Sequence, residues 1–142
     1  MMDFCRANKE EPDFTMFPAP NENGSGWIAV KDLELRSMCA HHLAPFFGKC
    51  TIVYKPNGLM AGLSKFQRAL DYLGKVPTEQ ETLTHEILTY LVDKLQPYGI
   101  IVILEAQHTC MIVRGVQTSG STTKTIQKWG SVQMDEVDLL LK

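Results

Sequence analysis

The apolar positions divide the chain into strand-like and helix-like stretches. Strand formers dominate from Trp27 to Leu35, yet Trp27, Ala29 and Leu33 do not separate cleanly from Ile28, Val30 and Glu34 into two faces. Phe46 to Tyr54 alternates better. Phe46, Gly48, Cys50, Ile52 and Tyr54 fall on one face, and Phe47, Lys49, Thr51 and Val53 on the other. Pro56-Asn57-Gly58 then reads as a turn. Ser64 to Leu73 places Phe66, Ala69, Leu70 and Leu73 on one helical stripe, with Gly74 as its stop. Thr78 to Leu95 is a second helix with a stripe of Leu83, Ile87, Leu91 and Leu95, closed by Pro97 and Gly99. Ile100 to Ala106 is strongly apolar, as a strand buried on both faces would be, and Cys110 to Val116 reads as a further strand. Ser131 to Lys142 is acidic and leucine-rich and reads as a short helix.

Residues 1–26 hold Pro12, Pro18, Pro20, Gly24 and Gly26 among polar residues and read as an irregular N-terminal arm. The remainder, 27–142, reads as one α+β domain. Its order β-β-α-α-β-β predicts an antiparallel sheet with both helices on one face.

Composition narrows the class. A chain of 142 residues, 44% hydrophobic and 21% charged, can bury a single core as a globular protein. Its net charge of −2 speaks against a general nucleic-acid binder, which needs a basic surface. No apolar run approaches the roughly 20 residues of a membrane helix, and the first residues do not resemble a signal peptide. The expectation is a cytoplasmic protein without membrane contact. The cysteines are Cys5, Cys39, Cys50 and Cys110; in that setting metal ligation or buried thiols are favoured over disulfides.

Candidate chemistry gathers in two clusters, Cys39-Ala40-His41-His42 and His108-Thr109-Cys110. Zinc accepts thiolate and imidazole, and a catalytic zinc keeps three protein ligands and one open position. Cys39 and His42 are three residues apart, so one turn can present both to a metal. His108 and Cys110 share a face if that segment is a strand. Five candidates compete for three places; imidazoles left over would suit proton transfer. Cys110 also fits plain packing in an apolar strand, and His41-His42 an exposed turn. A closed structural zinc site would need a fourth ligand such as Cys50 or His108. Elsewhere, Ser64 stands at a helix start, with Lys65 and Arg68 on one face; together with Arg114 they could hold phosphates. The same residues also fit a capped helix with solvated charges. Thr78 with Glu81 fits a capping box, while Gln80-Glu81 could read a guanine edge through paired hydrogen bonds.

Taken together, Cys39-Ala40-His41-His42-Leu43-Ala44-Pro45-Phe46-Phe47-Gly48-Lys49, Gly62-Leu63-Ser64-Lys65, Gln80-Glu81-Thr82-Leu83-Thr84, Glu105-Ala106-Gln107-His108-Thr109-Cys110-Met111 and Arg114-Gly115-Val116 resemble the signature of the GTP cyclohydrolase I family. The lead-in Val30-Lys31-Asp32-Leu33 with Ser37-Met38 fits too, and the resemblance runs in order from about Trp27 to Gly130. It implies a tunnelling fold (T-fold) that assembles into a multi-subunit β-barrel, a homo-oligomer that is a pentamer or decamer with sites between subunits. The implied activity is hydrolysis of GTP to 7,8-dihydroneopterin triphosphate and formate. The implied metal is Zn2+ on Cys39, His42 and Cys110, with His41 and His108 in proton transfer. Ser64, Lys65, Arg68 and Arg114 would meet the triphosphate, and Gln80 with Glu81 the guanine. The product would feed folate, pterin or deazaguanine synthesis.

Two departures stand out. The family motif is Cys-Glu-His-His, whereas Ala40 occupies the second place here, which removes a carboxylate beside His41. Only 26 residues precede Trp27, where family members carry a longer helical region that joins pentamers. The alternatives are therefore an enzyme that stops at the ring-opened formamide, or a protein that only binds a purine or pterin nucleotide. A nitrile reductase on the same fold would need a cysteine nucleophile and a nicotinamide site, which the Cys-x-x-His cluster opposes.

Overall fold

The structure, a computed structural model, describes residues 11–19, 26–108 and 122–141. Strand β1 (Met16–Pro18) is followed by β2 (Ile28–Met38), β3 (Pro45–Lys55) and β4 (Leu59–Ala61). Two helices, α1 (Leu63–Leu73) and α2 (Gln80–Leu95), precede β5 (Gly99–His108), β6 (Thr123–Gly130) and α3 (Met134–Leu141). The main sheet has the order β2-β3-β5-β6 and is antiparallel throughout, while β1 and β4 form a small antiparallel pair. Apart from that small pair and α3, the order is the expected β-β-α-α-β-β.

Alternation in β3 and β5 settles which face meets the helices. Phe46, Cys50, Ile52 and Tyr54 of β3 and Ile100, Val102 and Leu104 of β5 are buried in one core with the stripes of α1 and α2. Leu83, Ile87, Leu91 and Leu95 are each at most 1% exposed. Burial on that scale contributes about 1.5–3 kcal/mol per side chain. On the opposite face Val53 and Ile101 pack with Val137 of α3, so β5 is buried on both sides as its apolar run predicts.

Several expectations need correction. The blurred pattern of β2 has a physical cause: its pairing with β3 shifts register between Val30 and Leu33, and Asp32 takes a positive φ of 59°. A bulge of this kind resets which residues face inward. The capping box at α2 does not form. Glu79 is the N-cap without a side-chain cap bond, and the Thr78 hydroxyl donates to the Glu79 carbonyl. The fourth strand of the described sheet is Thr123–Gly130, a polar stretch to which the pattern assigned no element. The strand expected over 110–116 lies outside the described residues. Reading 1–26 as irregular also misses β1, whose register pairs Met16 with Ala61. Phe14 reaches the core edge-on to Phe66 and Tyr90, and Glu11 pairs with Lys94. Among the described residues no helix is long and apolar enough to cross a membrane.

Candidate functional site

The hairpin tip between β2 and β3 is a tight loop. Cys39 N–H donates to Ala44 O at 2.8 Å, and Leu43 N–H donates back to Cys39 O at 2.8 Å. Leu43 takes a positive φ of 49° to close it. The loop puts the Cys39 Sγ 3.9 Å from His42 Nδ1. It is tied sideways to the start of α2, because Thr78 N–H donates to Met38 O and Ala40 N–H donates to Thr78 O. One short bridge therefore brings the Cys-x-x-His cluster against Glu79, Gln80 and Glu81.

His108 enters from the end of β5. It pairs across the sheet with Phe46, and the rings stack with centroids 4.6 Å apart and 9° between planes. Its Nε2 lies 2.7 Å from Gln80 Oε1. The Gln80 amide orientation follows from its other end: Nε2 donates to the carbonyls of Thr123 and Leu104 and to Thr125 Oγ1. Carbonyls only accept, so the NH2 group must face them and the oxygen must face His108. His108 then donates through Nε2, and its neutral ring keeps Nδ1 as the acceptor. Burial pushes the His108 pKa below its ordinary value, with the nearby Glu81 charge opposing the shift.

Cys39, His41, His42, Glu79, Gln80, Glu81, His108 and Thr123 line one cleft of about 330 Å³. A larger groove of about 720 Å³ along β2 and β3 holds neither cysteine nor histidine, and the chemistry lies in the smaller cleft. Of the expected site residues, Cys39, His41, His42, Gln80, Glu81 and His108 are thus brought together. Gln80 differs from the expectation of a base reader: it is 1% exposed, and its amide is engaged inside the chain at both ends. Glu81 is the exposed neighbour on the same turn. Ser64, Lys65 and Arg68 do not line the cleft. They sit on the first turns of α1, where Lys65 Nζ is 3.7 Å from Asp13 Oδ2. Cys110 and Arg114 lie outside the described residues. Glu79, absent from the expected set, reaches the cleft as well, with Oε1 3.1 Å from His41 Nε2. No spacing rule marks it, because the contact runs between two separate elements.

The donor chemistry of the hairpin tip fits zinc. Tetrahedral zinc, with bonds of about 2.3 Å to sulfur and 2.0 Å to nitrogen, holds those two atoms about 3.5 Å apart. The observed separation of 3.9 Å needs only a small adjustment. Among the described residues no third cysteine, histidine or carboxylate completes a ligand group there.

The family model described as GTP cyclohydrolase I matches residues 1–139. GTP cyclohydrolase 1 of Listeria welshimeri is 40% identical over 129 residues, covering 90% of this chain and 68% of that protein. GTP cyclohydrolase 1 of Clostridioides difficile is 40% identical over 133 residues, covering 93% of this chain and 70% of that protein. Among solved structures, the apo crystal structure of the archaeosine synthase QueF-Like superposes with a TM-score of 0.59 at 16% identity, covering 75% of this chain and 96% of that one. That likeness bears on the fold, an α+β T-fold. With the match over nearly its whole length, this chain belongs to the GTP cyclohydrolase I family.

Proposed function

We propose that this chain catalyses the zinc-dependent hydrolysis of GTP to 7,8-dihydroneopterin triphosphate and formate. The observation that carries the reading is the 3.9 Å approach of the Cys39 thiol to the His42 imidazole, in a cleft that also holds His41, His108 and Glu81. Cys39, His42 and Cys110 would hold the zinc. Bound there, it supplies a Lewis acid and a water of lowered pKa.

The protein's own groups do the rest. Glu81 accepts two hydrogen bonds from the ring N–H and amino group of guanine and fixes the base in the cleft. His41 gives a proton to the imidazole-ring nitrogen of the base as the C–N bond breaks. His108, held neutral by burial with Nδ1 as acceptor, takes up and returns protons in the later ribose rearrangement and ring closure. Gln80 fixes the ring of His108 from behind. Ser64, Lys65, Arg68 and Arg114 bind the triphosphate, through charge and the free N–H groups of a helix start.

Ser64, Lys65 and Arg68 do not line the cleft of their own chain, in keeping with sites completed between subunits of a homo-oligomer, a pentamer or decamer. Strands β2 and β6 are the two edges of the described sheet and leave ladders that further copies can extend into a barrel. Cytoplasmic location and a place early in pterin, folate or deazaguanine synthesis belong to the same reading.

The test is direct. Purified protein supplied with Zn2+ and GTP should release formate and give a fluorescent neopterin after oxidation. Folded, zinc-loaded protein that yields no product would defeat the reading. Accumulation of the ring-opened formamide would favour the partial enzyme instead, an outcome that the absence of a carboxylate at Ala40 makes specific.

A further inference from the structure

Residue 40, beside His41, is alanine and offers no carboxylate. A carboxylate nevertheless reaches His41 from another element. Glu79 Oε1 lies 3.1 Å from His41 Nε2, and both residues line the cleft. Glu79 is the N-cap of α2 in an extended conformation (φ −94°, ψ 152°), yet its side chain caps no backbone N–H. Its carboxylate is turned to the histidine instead. The backbone keeps the two in place, since Thr78 bonds to Met38 and Ala40 on either side of Cys39. Both side chains are half open to solvent, at 63% and 48% exposure. A pair in that setting adds little to stability, so its consequence is orientation.

We propose that Glu79 is the positioning residue of His41, supplying from the start of α2 the carboxylate that residue 40 lacks. A carboxylate only accepts hydrogen bonds. It therefore accepts the Nε2–H of the ring and leaves Nδ1 as the atom that picks up the transferred proton and passes it to the substrate, as a carboxylate orients a working imidazole elsewhere. This inference rests on the functional reading above for its effect on turnover, but the contact itself can be tested without it.

The experiment compares wild type with Glu79→Ala and Glu79→Asp, each assayed for kcat, KM for GTP, zinc content and the 15N spectrum of the His41 ring. Glu79→Ala is expected to lower kcat by about ten- to a hundredfold, with KM and zinc content unchanged, and to convert the His41 ring from the Nε2–H form to a tautomer mixture. Glu79→Asp is expected to recover part of the lost kcat and of the Nε2–H signal. Wild-type kcat in Glu79→Ala, a loss confined to KM or matched by lost zinc, or an unchanged ring spectrum would each overturn the proposal. Should wild type show no turnover, the functional reading fails instead, and the ring spectrum alone decides the Glu79 contact.

Discussion

At the cleft, His108 is stacked on Phe46 and bonded to a buried glutamine, and the Cys39–His42 pair is closed by two backbone bonds of a tight loop. At the start of α1, by contrast, Ser64 and Arg68 are exposed, and Lys65 pairs with the exposed carboxylate of Asp13 on the surface. The difference teaches how the work is divided. In the proposed function, proton transfer and metal holding would need atoms fixed to within fractions of an ångström, and the described cleft side chains are anchored on the sheet and hairpin loop of one chain. In that function, binding a highly charged triphosphate would need charge more than exact placement, which an open cluster would supply to the cleft of another copy.

Substitutions can break either side of this contrast. The largest effect is expected at the hairpin tip. Cys39→Ala or His42→Ala should abolish zinc retention and lower turnover by on the order of a thousandfold or more, measured by metal analysis and the neopterin assay. Next comes Gln80→Leu. It takes the buried amide away from His108 and from the Thr123 carbonyl, and should cost about 2–3 kcal/mol in denaturant unfolding as well as most of kcat. Arg68→Ala should behave differently: KM for GTP rises about tenfold, while stability stays within about 0.5 kcal/mol. A loss of stability like that of Gln80→Leu would show that the two regions are not built differently.

A pH series sharpens the cleft side. The folded pKa of His108 lies below its ordinary value of 6.5, so the unfolded chain binds the extra proton first as acid is added. Stability should therefore fall as pH drops below about 6.5, and His108→Gln should flatten that decline in urea midpoints. The smallest effect is expected from Ala40→Glu. With Glu79 already beside His41, turnover should change less than about threefold. A large gain would mean that Glu79 does not stand in for the missing carboxylate.

Much of this was legible in the chain itself. The stripes of α1 and α2, the clean alternation of β3 and the apolar run of β5 are strong because each faces a fully buried core. The edges were harder. Thr123–Gly130 exposes most of its residues at the rim of the sheet, so no apolar rhythm announces it. Strand β2 hid its rhythm because a bulge at Asp32 shifts the phase midway. The cysteine and histidine clusters pointed to the cleft through their chemistry and spacing. The contacts of Gln80 and Glu79 did not show, because each depends on a partner from another element: Gln80 on His108, and Glu79 on His41. Phe14 was hidden for a similar reason, since a lone aromatic in a proline-rich stretch has no periodic companion to mark it as core.

The most direct test of the account is X-ray absorption at the zinc edge of the purified, zinc-loaded protein. The account predicts two sulfurs at about 2.3 Å, one imidazole nitrogen at about 2.0 Å and a fourth, exchangeable light-atom position. A site closed by a third sulfur or a second imidazole, or zinc bound without sulfur, would contradict it.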